Sequence, residues 1–148
     1  MRVVIQRAKY AKCTIDQKVS GQIRQGFCIF VGFTHTDTKE IVDKVVKKIC
    51  GLRIFSDDQG KMNLSIRDIQ GSVLSISQFT LYAACKKGNR PGFTDAAKPD
   101  LAIPLYDYFN QALQASGLDV QTGVFGADMQ IELCNDGPVT IVLDSEEL

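Results

Sequence analysis

Two short polar stretches in this sequence combine residue types that could do chemistry. The first is Ser77 to Leu81 (Ser-Gln-Phe-Thr-Leu), which ends an apolar run. Polar residues at the carboxyl end of a strand often line sites. Ser77 and Gln78 could hydrogen-bond a ligand, and the backbone N–H groups of Phe79 and Thr80 could stabilise a developing oxyanion. Two alternatives stay open: Thr80 could be a nucleophile, although no base is adjacent in sequence, or the side chains could merely satisfy the strand edge.

The second stretch is Asn135 to Thr140 (Asn-Asp-Gly-Pro-Val-Thr), which lies between two apolar runs, 129–134 and 139–143. Both runs alternate as strands do, so the pattern predicts a strand, a turn and a strand. Pro138 supplies no N–H group to a ladder, and its peptide bond with Gly137 could be cis. A cis bond would hold two backbone carbonyls on one side of the chain as a small polar clamp. Because most X–Pro bonds in folded proteins are trans, the local sequence alone favours an ordinary turn.

The remaining candidates are one histidine and one basic cluster. His35 is the only histidine and follows an apolar strand in a polar loop, so a surface position is a better interpretation than a general base. No Ser/His/Asp triad can be assembled without it, and no metal or nucleotide motif is present. The densest basic cluster is Lys86, Lys87 and Arg90, which could contact phosphates. A solvated turn explains this cluster equally well.

The composition narrows the classes of protein that fit. The formal net charge is zero, whereas proteins that follow a long stretch of nucleic acid are usually basic. Any nucleic-acid partner is therefore expected to be bound locally or at its end. Five cysteines without a CxxC pair argue against a disulfide framework and against a zinc site, so we expect no metal and no cofactor. No apolar run approaches the ~20 residues of a membrane helix and no signal peptide is recognisable, which predicts a cytoplasmic protein.

The periodicity predicts one α+β domain over residues 1–148, rich in strands and with two amphipathic helices. The first helix is expected to begin at Asp37 as its N-cap and to end at Gly51, and the second to begin at Pro99. The segment 62–69 fits a strand or a helical turn equally well. The segment 83–99 has no periodicity, and a loop of this length is usually functional or mobile. The predicted strands are 2–15, 19–23, 27–33, 52–55, 72–81 and 120–122.

The two polar stretches together resemble the paired signatures of the D-aminoacyl-tRNA deacylases, the D-tyrosyl-tRNA deacylase family. The resemblance covers essentially the whole chain, because the flanking segments match in the same order. These segments are Met1 to Arg7, Leu52 to Phe55, Lys61 to Ser65, Phe93 to Ala97 and Phe125 to Met129.

The resemblance implies a barrel-like, mostly antiparallel or mixed sheet and a cytoplasmic homodimeric hydrolase. Such an enzyme cleaves the ester between a D-amino acid and the 3′ end of tRNA. It also implies that the Gly137–Pro138 bond is cis and that this motif of one subunit reaches into the pocket of the other. Met129 would then help to shape the adenosine pocket, and Arg7 would brace the Gly-Pro motif. The loop cations named above would lie near tRNA phosphates.

Two functional hypotheses follow. The first is a deacylase whose main-chain clamp excludes L-amino acids and whose chemistry depends on backbone N–H groups and the ribose 2′-OH of the substrate. Such a pocket cannot exclude glycine, so glycine mischarged on tRNA(Ala) is a predicted second substrate. The alternative is a module that binds the tRNA 3′ end or a nucleotide without catalysis, since no protein base is visible.

Overall fold

The computed structural model describes all residues 1–148 and has eight strands and two α-helices. The strands are β1 (Arg2–Ile15), β2 (Lys18–Ile23), β3 (Gly26–Gly32), β4 (Arg53–Ser56), β5 (Met62–Ser65), β6 (Ser72–Ser77), β7 (Asp119–Thr122) and β8 (Gln130–Asp144). The helices are α1 (Lys39–Gly51) and α2 (Pro99–Ala115), and two short 3₁₀ helices span Phe79–Tyr82 and Ser145–Glu147. The α+β class predicted from the sequence is confirmed.

The main sheet is mixed and curls into a nearly closed barrel. Its strands follow the order β2-β1-β3-β6-β7, with β8 on the other side of β1. β1 pairs antiparallel with β2, β3 and β8, whereas β3–β6 and β6–β7 are parallel. The two outer strands of the series approach each other, and Ser20 Oγ donates to the Thr122 carbonyl across 3.1 Å. A Cβ atom at Gly21 would lie 3.0 Å from that carbonyl oxygen, so glycine permits the close approach.

The end of the chain is one long strand, so the predicted turn between two strands is wrong. Both halves of β8 pair with β1: Ala8 faces Asn135 and Gln6 faces Thr140. Two steps along β1 therefore correspond to five steps along β8, and residues 136–139 have no partner on β1. The polar stretch is a wide bulge. A hairpin would need the two apolar runs to pair with each other, but β1 is long enough to pair with both.

The helices cover one face of the sheet, and the sequence predicts the start of α2 but not the N-cap of α1. Pro99 is the first residue of α2, as predicted. Asp37 is not the N-cap of α1; that position is Thr38. The Asp37 carboxylate instead turns inward, where it accepts from the Thr34 N–H (2.7 Å) and contacts the backbone nitrogen of Met1 (2.5 Å). The carboxylate binds the buried, positively charged Met1 nitrogen and does not cap the helix. Gly51 is the last helical residue rather than a cap beyond the helix.

Two apolar clusters lie on opposite faces of the sheet. The larger cluster joins residues of β1, β3 and β6 to both helices. The smaller cluster lies in the barrel interior and includes Cys13, Cys28 and Ile76. The ambiguous segment 62–69 begins as β5, which pairs with β4 in a separate two-stranded sheet. No helix has both the length and the apolar character needed to cross a bilayer.

Candidate active site

The Ser77–Thr80 stretch forms a sharp turn at the end of β6. The predicted strand 72–81 is too long, because β6 ends at Ser77 and a 3₁₀ helix begins at Phe79. Gln78 marks the change: its N–H donates to the Val31 carbonyl at 2.7 Å, and its own carbonyl accepts from Leu81 at 3.3 Å. Gln78 therefore still bonds to β3 through its N–H group, but its carbonyl group bonds within the turn, and β6 ends there.

This turn presents two free donors. The N–H groups of Phe79 and Thr80 donate no hydrogen bond within the chain, because the first N–H groups of a helical turn have no preceding turn to accept them. Both residues are exposed. Two adjacent unpaired N–H groups are the arrangement that stabilises an oxyanion in acyl-transfer sites.

The Thr80 hydroxyl has no base beside it. Its hydrogen-bond partner is the Gln78 side chain, whose Nε2 donates to Thr80 Oγ1 at 2.6 Å. An amide cannot take the hydroxyl proton, so the geometry does not activate Thr80 as a nucleophile. His35 is not hydrogen-bonded to Thr80; its Nε2 lies 2.8 Å from the Thr94 carbonyl. The structure thus pairs neither residue with a partner for acid–base catalysis.

The turn forms one wall of a cavity of about 280 Å³. Ile76 to Phe79 line one side, and Phe125 to Met129 with Ile131 line the other. Gly123 makes room for this second wall, because a Cβ atom there would collide with Met129 Sδ and come within 3.2 Å of Ile76 Cδ1. The cavity therefore brings together the predicted residues Ser77, Gln78, Phe79 and Met129, with Thr80 directly after them.

Buried thiols in the adjacent barrel interior are poor nucleophiles. Burial raises the pKa of Cys13, and burial raises that of Cys28 to about 12. Only a thiolate attacks an ester efficiently, so burial makes both cysteines poorer nucleophiles. The structure also has no cluster of three or more side chains that could hold a metal ion.

The Gly137–Pro138 bulge is held in place by hydrogen bonds with the Arg7 and Asn135 side chains. Arg7 is 8% exposed; its Nε donates to the Asp136 carbonyl at 2.8 Å and its Nη1 to the Ile54 carbonyl at 2.5 Å. Asn135 Oδ1 accepts from the Val139 N–H at 2.8 Å. The Asp136 carboxylate lies 3.8 Å from Arg7 Nε, which adds a weaker attraction.

The tip of the bulge faces outward. Gly137 and Pro138 are both exposed, and their peptide bond is cis, as the resemblance implies. Gly137 has a φ of 136°, and a Cβ atom there would lie 2.9 Å from both Arg7 Nη2 and Val139 Cγ2. Glycine is thus required by backbone conformation and by space. Neither Gly137 nor Pro138 lines the cavity beside Phe79 in the same chain.

The three predicted phosphate-binding cations lie together in the loop after the turn. Ala84 and Gly92 close this loop with two backbone hydrogen bonds of 2.8 and 3.0 Å. Lys86, Lys87 and Arg90 are exposed between them and form no ion pair.

Sequence reasoning missed two residues that support the site. Asn135 belongs to the second polar stretch, but the sequence gives it no supporting role, although an Asn four residues before a backbone N–H can hold a bulge by its side chain. Phe93 belongs to a segment of the family resemblance but has no predicted role, yet its ring meets that of Phe79 edge-on, with 5.1 Å between centroids and 70° between planes. Only the folded chain brings these two aromatic residues together.

Comparison with known proteins shows the family to which the chain belongs. The sequence profile described as D-Tyr-tRNA(Tyr) deacylase matches residues 4–144. The chain belongs to the D-aminoacyl-tRNA deacylase family. A D-aminoacyl-tRNA deacylase of Geobacillus sp. (strain WCH70) is 54% identical over 147 residues, which is 99% of this chain and 97% of that one. The deacylase is accordingly a hydrolase of the ester bonds of aminoacyl-tRNA.

Two solved structures are similar to this deacylase. One is named c-Myc DNA Unwinding Element Binding Protein; it is 38% identical with a TM-score of 0.90, and the match covers 97% of this chain and 98% of that one. The other is described as a probable eukaryotic D-amino acid tRNA deacylase; it is 18% identical with a TM-score of 0.83 over 96% of this chain and 97% of that one. The second likeness concerns the fold alone.

Proposed function

We propose that this deacylase removes D-amino acids from tRNA by means of the turn that carries Phe79 and Thr80. The observation that carries the proposal is the pair of unpaired N–H groups beside a cavity, in a chain of this family. Water attacks the ester carbonyl, the two N–H groups stabilise the oxyanion, and the 3′-oxygen of tRNA leaves. The products are the free D-amino acid and tRNA with its 3′-hydroxyl restored.

The attacking water is positioned by the substrate. Thr80 Oγ1 meets only an amide, and no histidine or carboxylate is paired with it. The ribose 2′-OH of the terminal adenosine neighbours the ester and can orient or activate water. Ser77, Gln78 and Met129 shape the pocket for that adenosine. Replacing the terminal ribose by 2′-deoxyribose should therefore lower the rate by about 10²-fold or more, the size of one general acid–base contribution. An unchanged rate would eliminate the role of the 2′-OH.

Selection for D-amino acids is assigned to the Gly137–Pro138 motif of a partner subunit. The motif is exposed and rigidly held, yet it does not line the cavity of its own chain. β8 is paired only with β1, so its other edge is open, and open edges of this length are usually covered. In a homodimer, main-chain carbonyls of the motif hold the α-ammonium group, and an L side chain collides with the main chain. Specificity by exclusion of this kind does not depend on the side chain.

Glycine follows as a second substrate. A filter that works by collision with an L side chain has nothing to exclude in glycine. Glycine mischarged on tRNA(Ala) is therefore expected to be removed. Phosphates near the acceptor end are bound by the three exposed cations, Lys86, Lys87 and Arg90. Such local binding is compatible with the zero net charge of the chain. Aminoacyl-tRNA is used in the cytoplasm, and we expect the deacylase there.

Paired deacylation assays test the proposal. D-tyrosyl-tRNA and L-tyrosyl-tRNA are incubated with the protein under identical conditions, and loss of each ester is followed with time. We expect rapid loss of the D ester and only spontaneous loss of the L ester. Equal rates for the two esters would refute stereospecific deacylation. Sedimentation at several protein concentrations tests the dimer separately, and a monomer with full activity would refute the shared site.

The alternative function is binding of the tRNA 3′ end or of a nucleotide without catalysis. Two observations favour it: no protein base accompanies the turn, and one similar structure carries the name of a DNA-element-binding protein. Tight binding of uncharged tRNA with no acceleration of either ester would support this alternative.

A further inference from the structure

The catalytic turn is anchored unequally at its two ends. At the far end, Arg2 Nη1 donates to the Leu81 carbonyl at 3.2 Å, and the guanidinium lies 4.7 Å from the centre of the Tyr82 ring. Tyr82 is buried. At the near end, Phe79 is 54% exposed, and its N–H has no partner. The side chain of Phe79 is thus less firmly held than that of Tyr82 at the other end of the turn.

Beyond the backbone hydrogen bond from Gln78 to Val31, one aromatic contact restrains the Phe79 side chain at the near end. The ring of Phe79 meets the edge of the Phe93 ring, with 5.1 Å between centroids and 70° between planes. This edge-to-face geometry is the favourable one for aromatic pairs. Phe93 is itself 39% exposed, so the pair lies at the surface beside the cavity and not in the core.

Phe93 is in turn fixed by the residues that follow it. Thr34 Oγ1 donates to the Asp95 carbonyl at 2.7 Å, and His35 Nε2 lies 2.8 Å from the Thr94 carbonyl. The Ala97 N–H donates to the Phe33 carbonyl at 2.9 Å. These contacts tie the end of the loop to the segment just after β3. His35, which has no catalytic partner, therefore has a structural place near the site.

The loop that carries Phe93 also carries the cations. Ala84 and Gly92 close its tip, and Phe93 follows Gly92 directly. Arg90 is only three residues from Phe93. A phosphate bound at the tip consequently restrains the same short segment that restrains the Phe79 ring.

We propose that Phe93 is a positioning residue: its ring holds Phe79 so that the Phe79 and Thr80 N–H groups stay aligned when the loop cations bind tRNA. This role rests on the proposed oxyanion function of the turn. It couples binding of the tRNA acceptor end to the alignment of the Phe79 and Thr80 N–H groups. Phe93 itself does not touch the reacting atoms.

A double-mutant cycle on kcat tests the link. Phe93→Ala removes the ring and should lower kcat about two- to tenfold, the range expected for loss of one aromatic pair, with KM little changed. Phe93→Tyr should restore most of the rate. In a Phe79→Leu background, which keeps the backbone N–H, Phe93→Ala should have almost no further effect on kcat. Coupling of this kind is what distinguishes action through Phe79 from general loss of structure.

A fluorescence experiment tests the loop independently of catalysis. The chain has no tryptophan, so Phe93→Trp introduces a single reporter. Uncharged tRNA should change its emission, and the change should disappear when Lys86, Lys87 and Arg90 are replaced by glutamine. Val19→Trp, on exposed β2 away from the cavity, is the matched control and should not respond.

The outcomes separate the two proposals. An active wild type in which Phe79→Leu and Phe93→Ala lower kcat independently would overturn the positioning role and leave the deacylase function intact. A silent Phe93→Trp reporter at saturating tRNA would overturn the link to the cations. A wild type that hydrolyses neither ester would overturn the proposed function, and the positioning role with it.

Discussion

Gly137→Ala is the substitution that most directly tests how the bulge works. The new Cβ atom would lie 2.9 Å from Arg7 Nη2, 2.9 Å from Val139 Cγ2 and 3.1 Å from the Val139 nitrogen. The φ of 136° adds a conformation that L residues rarely adopt. Arg7 cannot simply turn away, because its Nε and Nη1 hold two carbonyl groups.

The expected cost has two parts. An L residue held in an unfavourable backbone region costs about 1–3 kcal/mol. Displacement of Arg7 weakens at least one hydrogen bond to a charged group, worth about 1.5–3 kcal/mol. We therefore expect Gly137→Ala to lower the free energy of unfolding by about 2.5–6 kcal/mol if the bulge keeps its place, and by less if the bulge moves. In the second case, we expect the loss in activity instead, because the proposed fit of the motif into a partner subunit's cavity would be disturbed.

Gly60→Ala is the matched control. Gly60 also has a positive φ, 75°, but nothing lies within 4 Å of an added Cβ atom. This control measures backbone strain alone, about 1–2 kcal/mol. Urea unfolding at one fixed protein concentration compares the stabilities of the two variants, and deacylation of D- and L-tyrosyl-tRNA compares their selectivity. If Gly137→Ala matches Gly60→Ala in stability and keeps full D-selectivity, the assigned roles of Gly137 and Arg7 are wrong.

Three further predictions concern the site and its surroundings. Thr80→Ala should keep most of the D-specific rate, because the hydroxyl meets only an amide; a folded but inactive variant would restore Thr80 as the nucleophile. Replacing Lys86, Lys87 and Arg90 by glutamine should weaken tRNA binding. If each cation contacts one phosphate, the slope of the logarithm of the binding constant against the logarithm of the salt concentration should become shallower by about 2–3. The melting temperature should not change; an unchanged slope would remove these cations from the interface. In alkylation at pH 8 followed by peptide mass spectrometry, exposed Cys85 should react first. Cys28 should react far more slowly, since with a pKa of about 12 only about one Cys28 side chain in 10⁴ is a thiolate at this pH. Equal labelling of the two cysteines would show that the barrel opens readily.

Prediction from the sequence succeeded where one local pattern had no competitor. The apolar spacing of residues 41, 42, 45, 46 and 49 predicted one apolar face of α1; Val42, Val45, Val46 and Ile49 are buried there, and Ile41 is half-buried. Pro99 predicted the start of α2, because proline is favoured at the first helical position, where its missing N–H group costs no hydrogen bond. In both cases, local chemistry and the tertiary packing favour the same structure.

Prediction failed where a residue formed a different contact from the one that its local sequence pattern indicated. Asp37 has the side chain of an N-cap, but the backbone nitrogen of Met1 takes its carboxylate. Asn135 to Thr140 has the composition of a hairpin turn, but β1 pairs with the strand on both sides of it. The strand predicted to continue to Leu81 ends at Ser77, because the Gln78 carbonyl accepts from Leu81 and closes a local turn. None of these partners is near in sequence except the last.

The sequence by itself determined the α+β class, both helices, the polar stretches that could do chemistry and, through their resemblance to one family, the reaction. These features depend on residue type and spacing, which are local. The tertiary structure decided that the second stretch is a bulge braced by Arg7 and Asn135 and that the first ends in two unpaired N–H groups. It also decided that Phe93 meets Phe79, and that Gly137 and Pro138 stay outside their own chain's cavity. Such facts depend on which distant segments become neighbours, and a single sequence does not record those contacts.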